Sequence, residues 1–90
     1  MVLKVRGLMV TRDVPITAMD DRAEKRVLKQ FGARVRHLRL QKGMTQEDLA
    51  FTCDLDRSYI GSVERGERNI SLVNMHKIVR ALGVPMKELF

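Results

Sequence analysis

Covalent or metal chemistry in this chain would have to come from one cysteine, Cys53, and two histidines, His37 and His76. One thiol and two imidazoles do not fill a four-ligand Cys/His zinc site, and a single cysteine closes no disulfide within the chain. A thiol nucleophile needs a base beside it and a third group to orient that base. The two histidines fall in separate segments, and no carboxylate is spaced to orient either. Cys53 lies on the inward side of a short helical segment, where a small apolar side chain is the default. The sequence has no Gly-rich phosphate cradle, so the reading is of a protein that is not an enzyme, with no catalytic residues, metal or cofactor. The chemistry it does offer is ionic. Seventeen Lys and Arg stand against 11 Asp and Glu, a net charge of +6 on 90 residues, and such an excess seeks a polyanion. With 44% hydrophobic residues the chain is no disordered basic tail, and with 4% aromatics and no Trp it is no stacking platform for single strands.

Ninety residues make one small domain with a modest core. Basic residues interrupt the apolar start, Met1 to Val10. A signal peptide needs about 7–15 continuous apolar residues and a membrane span about 20, so the chain reads as soluble and cytoplasmic. Residues 1–18 are rich in Val, Ile, Leu and Thr, with Gly7, Asp13 and Pro15 as punctuation and no helical period. Residues 1–25 are therefore set apart as an extension, either a loosely ordered leader or an arm pairing with a second copy. Residues 26–90 form the domain.

From Asp20 onward the pattern is helical. Asp20 and Asp21 can cap a first helix whose Leu28, Phe31, Val35 and Leu38 form one apolar stripe, stopped at Gly43. Thr45 and Asp48 have capping-box spacing for a second helix with Leu49, Ala50 and Cys53 inward. Asp56 is placed to cap a third, carrying Tyr59, Ile60 and Val63. Ser71 caps a fourth with Leu72, Met75, Ile78, Val79 and Leu82 on its stripe, and Pro85 opens a short fifth, Met86 to Phe90. The fold class is all-α, with five helices on one small core.

The second and third helices are separated by only Asp54 and Leu55 before the Asp56 cap. Two short helices on so tight a turn cross near a right angle. That geometry lets the later helix enter a major groove while the earlier one lies across the phosphates. The stretches Met44-Thr-Gln-Glu-Asp-Leu-Ala50, Leu55-Asp-Arg-Ser-Tyr-Ile60 and Val63-Glu-Arg-Gly66 resemble the signature of the phage-repressor-like (Cro/CI, XRE-type) helix-turn-helix regulators. The resemblance continues through Arg68 to Asn74, Gly83 to Pro85 and Leu89-Phe90, covering about residues 27–90. Within the family, the chain is most similar to the controller proteins of restriction–modification systems. Asp54 replaces the glycine usual in the turn, and a left-handed residue there costs about 1–2 kcal/mol, less for Asp than for most.

The resemblance implies a set of roles. Arg57, Ser58 and Ser62, with Tyr59 beside them, match groove-facing positions; of these, Arg can contact guanine bidentately. Gln46 matches a residue that bonds a phosphate and braces the recognition helix. Thr45 beside it, and Arg65, Arg68 and Asn69 in the loop after the third helix, complete a phosphate-contacting set. Arg39 and Glu64 match a partly buried ion pair. Helix one adds a basic stripe, Lys29, Arg34, Arg36, His37 and Lys42, with Arg36 assigned to phosphate.

One recognition helix reads too few base pairs, so the expectation is a homodimer on a palindromic double-stranded DNA operator, regulating transcription. Val84, Met86, Leu89 and Phe90 are expected to form much of its interface, unless they simply close the core. The other reading is an antitoxin or protein-interaction module on the same fold. RNA is disfavoured because the helix does not fit the narrow major groove of A-form duplexes. Residues 27–90 hold 11 basic and seven acidic side chains, so arrangement rather than bulk charge must carry recognition.

Overall fold

The computed structural model describes residues 20–90. In order come α1 (Asp21–Gln41), α2 (Gln46–Cys53), α3 (Arg57–Glu64), α4 (Leu72–Leu82) and a 3-10 helix (Met86–Leu89). No strand occurs among the described residues. The expected pairing arm lies outside them, and the boundary drawn at residue 26 falls within the second turn of α1.

Three of the helix starts are held by the side chains that the spacing singles out. The Asp20 carboxylate accepts from the Ala23 N–H at 2.7 Å. Thr45 Oγ1 accepts from Asp48 N–H at 2.9 Å while Asp48 Oδ2 accepts from Thr45 N–H at 2.8 Å. These reciprocal bonds favour the ionised carboxylate and hold the Asp48 carboxyl below its ordinary range. Ser71 Oγ accepts from Asn74 N–H at 3.1 Å. Asp56 departs from expectation. It occupies the N-cap position of α3, but its side chain makes no cap bond and instead accepts from Ser58 Oγ at 2.6 Å.

The core is Val35, Leu38, Leu49, Ile60, Val63, Ile78, Leu82 and their buried neighbours. Packing joins α1 to α3, α2 to both α3 and α4, and the 3-10 helix to α4 and α1. Leu72 is an exception to the α4 stripe: it is 69% exposed, because the first turn of α4 projects past the core that begins at Met75.

The fifth helix is a single 3-10 turn, not an α-helix. Its last bonds run i to i+3, from Glu88 N–H to the Pro85 carbonyl and from Phe90 N–H to that of Lys87. Four residues after Pro85 suffice to drop Leu89 into the core at 2% exposure, and 3-10 geometry is used in short pieces of this kind.

At Gly32, α1 crosses the end of α3 with backbone against backbone. A Cβ built there would lie 2.2 Å from the Val63 carbonyl oxygen and 2.6 Å from that of Glu64. Only glycine permits this approach. The crossing fixes the end of α3 opposite the one that carries Arg57.

Candidate nucleic-acid interface

The turn between α2 and α3 is made at Asp54, at φ 58° and ψ 45°. It is the only non-glycine residue in the left-handed region among those described. Leu55 N–H then reaches back to the Ala50 carbonyl at 2.9 Å, closing the end of α2. Ala50 and Leu49 are buried beneath the turn, and Leu55 is half-buried against the core. The result is a fixed exit angle for α3.

Arg57 and Ser58 stand exposed in the first turn of α3. Tyr59 is half-buried and belongs to a network. Its hydroxyl accepts from Asn74 Nδ2 at 3.0 Å, and the Arg68 guanidinium lies 5.2 Å from its ring centroid. Ser62 is not a free groove-facing hydroxyl. It is 8% exposed, donates to the Tyr59 carbonyl at 2.7 Å and accepts from Arg68 Nε at 3.3 Å. It lies on the same helix face as Ser58, one turn on, but there its hydroxyl is taken up by the Tyr59 carbonyl and the Arg68 guanidinium.

Arg39 and Glu64 meet as the resemblance implied. Arg39 Nε donates to Glu64 Oε2 at 2.7 Å and Nη2 to Oε1 at 3.0 Å, with side chains 7% and 3% exposed. Arg39 Nη1 also donates to the Met44 carbonyl at 2.8 Å, and Gln46 Nε2 to Glu64 Oε1 at 3.1 Å. The carboxylate holds the guanidinium proton more tightly than usual. Gln46, at the start of α2, is thereby tied to the end of α3. One carboxylate joins α1, α2 and α3.

The loop after α3 splits its cations. Arg65 is paired with Glu67, Nε to Oε2 and Nη2 to Oε1, both at 3.1 Å. Arg68 rests on Tyr59 and Ser62, and Asn69 is exposed. On α1, Arg36 is exposed and lies one turn from both Gly32 and Arg39, on the edge nearest α3. Arg34, expected in the basic stripe, is turned away. It donates from Nε to the Glu88 carbonyl at 2.6 Å and from Nη2 to Glu88 Oε1 at 2.9 Å, clamping the C-terminal turn.

The four residues expected at the dimer surface differ in exposure. Leu89 closes the core, and Val84 and Met86 are half-buried against it. Phe90 is 80% exposed, its ring 5.7 Å from that of Phe31. It borders an open apolar groove of about 600 Å³ with Val27, Phe31, Ile70 and Met75.

The cysteine has no nucleophilic setting. Cys53 is buried, burial pushes its thiol up, and it donates to the Ala50 carbonyl at 3.8 Å. His37 and His76 are exposed on α1 and α4. Sequence reasoning missed Gly32, Glu67 and Asn74 as residues of the site. Asn74 follows a Ser cap by three, which signals only a helix start, and its partner Tyr59 lies 15 residues away.

The helix-turn-helix family HTH_3 matches residues 35–89, the span from Val35 in α1 to Leu89 in the C-terminal turn. The chain belongs to this family. Within the helix-turn-helix family, the chain is 58% identical over 60 residues to the control protein C.BamHI of Bacillus amyloliquefaciens, covering 66% of this chain and 74% of that protein. Its fold is similar to the restriction–modification controller protein C.AhdI from Aeromonas hydrophila. The TM-score is 0.69 at 57% identity, over 70% of this chain and 96% of the other. It is also similar to the controller protein C.Esp1396I, in a structure of its tetramer in complex with its natural 35 base-pair operator. There the TM-score is 0.63 at 37% identity, over 70% of this chain and 93% of that one. Among the described residues, no helix of this helix-turn-helix protein is long and apolar enough to cross a membrane.

Proposed function

We propose that the chain is a sequence-specific double-stranded-DNA-binding transcriptional regulator of the controller-protein type, acting in the cytoplasm as a homodimer on a palindromic operator. The observation that carries this reading is the exposed Arg57-Ser58 pair at the start of a short helix whose exit angle is fixed by the left-handed Asp54. Arg57 and Ser58 are assigned to base edges. Tyr59 stands beside them, and Ser62 holds Arg68 in place. Thr45, Gln46, Arg65, Arg68, Asn69 and Arg36 are assigned to phosphates, which set register without reading sequence. The dimer surface is assigned to Phe90 and its adjoining groove, which Leu89 also lines, together with the half-buried Val84 and Met86. The likeness to C.BamHI and C.AhdI supports the controller type. The likeness to C.Esp1396I, whose tetramer is seen with its natural 35 base-pair operator, supports the DNA partner and an assembly of several copies.

Selection of bound duplexes from a random pool tests the reading. A palindrome with fixed half-site spacing is expected; recovery of sequences without symmetry contradicts a dimer that reads two half-sites. On the selected operator, Arg57→Ala is expected to weaken binding by roughly 5- to 150-fold, the range of a bidentate base contact, and to leave random-DNA binding nearly unchanged. Equal losses on both would take Arg57 out of the base-reading set. Arg68→Ala is expected to weaken both alike and to flatten the slope of log affinity against log salt by about one. An unchanged slope would mean that Arg68 touches no phosphate.

A further inference from the structure

We propose that Glu67 stands in for a DNA phosphate on Arg65, so that duplex DNA reaches this guanidinium only by exchange with an internal carboxylate. The proposal rests on the reading of Arg65 as a phosphate contact.

Three features converge. The first is geometry. Two parallel bonds, both at 3.1 Å, occupy Nε and Nη2 of Arg65, the same fork that a phosphate takes. The second is placement. Gly66 adopts φ +77°, and the chain closes α3 with a paired cap in which Gly66 N–H bonds the Val63 carbonyl at 3.0 Å and Glu67 N–H bonds that of Ser62 at 2.9 Å. Glu67 is thus held by backbone bonds on the side of the loop where Arg65 lies. A Cβ at Gly66 would also press on Lys29 of α1, 2.8 Å from its Cα, so the reversal packs closely against α1.

The third feature is accessibility. The pair is 60% and 58% exposed, open to a polyanion, unlike the buried Arg39–Glu64 pair. Glu67 also lies near enough to Lys29 for that ammonium to favour its ionised form, after Arg65. Arg68, three residues on, has no carboxylate partner among the described residues. One loop therefore presents one masked and one unmasked arginine. Because Arg65 is assigned to the backbone and not to bases, the mask trims affinity on any duplex and leaves the choice of sequence to Arg57.

The test is a cycle on the full chain, measuring affinity for the selected operator and for random duplex. Glu67→Gln removes the charge but keeps the shape. It is expected to strengthen binding to both DNAs by about two- to fivefold, the range for an exposed ion pair, with their ratio constant. Glu47→Gln, which removes an exposed carboxylate in the first turn of α2, is the control for general charge and should gain less. In an Arg65→Ala background the Glu67→Gln gain should fall to that of the control. A Glu67→Gln gain equal to the control, or one that survives Arg65→Ala, overturns the proposal while leaving the DNA-binding reading intact. Absence of any operator binding by the parent overturns both.

Discussion

Glu64→Ala is expected to destabilise the fold by about 3–5 kcal/mol, the cost of leaving one member of a buried ion pair without its partner. At about 4–8 °C per kcal/mol for a domain of this size, the thermal midpoint should fall by roughly 12 °C or more. The size follows from burial. At 7% and 3% exposure, neither side chain of the pair can turn to water when the other is lost. Truncation strands the Arg39 guanidinium and removes the acceptor for Gln46 Nε2, leaving only the Met44 carbonyl on Nη1. Thermal unfolding followed by circular dichroism reads the effect, and a midpoint within about 3 °C of the parent would contradict it. Replacing both residues by methionine should cost less than Glu64→Ala alone, since the desolvated charges leave together.

The second large effect is expected at Gly32→Ala. The methyl would meet two backbone carbonyl oxygens at 2.2 and 2.6 Å, and neither can swing aside as a side-chain tip would. Overpacking costs about 1–3 kcal/mol in ordinary cores, and rigid backbone places this site at the upper end. Alanine returns about 1 kcal/mol of helix propensity, so a net loss near 2 kcal/mol is expected. Gly61→Ala serves as the contrast. Its methyl would meet the Arg65 guanidinium at 3.1 Å and the Gln46 amide at 3.6 Å, both movable ends of long side chains. It should keep or raise stability. If Gly32→Ala and Gly61→Ala melt alike, α1 and α3 are not held in backbone contact. Because the crossing sits on α3, Gly32→Ala should also weaken operator binding in the fraction that remains folded.

How much of this was legible beforehand depends on how far apart the partners lie. The caps at Asp20, Thr45 and Ser71 were readable because each side chain serves an N–H three residues on. The tight turn before α3 was readable from the short interval ahead of the Asp56 cap, but the left-handed backbone at Asp54 was legible only through the family resemblance, which puts a glycine there. Arg39–Glu64 became legible only through family resemblance; nothing in composition places residues 25 apart in contact. The bonds of the Ser62 hydroxyl to Arg68 and the Tyr59 carbonyl were not legible, because helical phase does not show which groups of a following loop fold back onto a side chain. Leu89 had two readings because an apolar C-terminal segment fits a core and an interface equally well, and its 2% exposure in the folded chain places it in the core.

Residue types and spacing alone were enough for the all-α class, the order of the main helices, their inward stripes apart from Leu72, and the tight turn before Arg57. All of these are set by contacts within a few residues, where spacing and side-chain chemistry suffice. Which cations are free emerged from the packing of the helices and the loop after α3. Of the arginines expected to contact phosphate or base, Arg57 stands open, Arg68 lies on Tyr59, and Arg65 is engaged by Glu67. Arg34, from the same basic stripe as Arg36, is spent on the C-terminal turn. Charge is a property of residues, but its availability to a ligand depends on what the fold brings within about 3 Å of it.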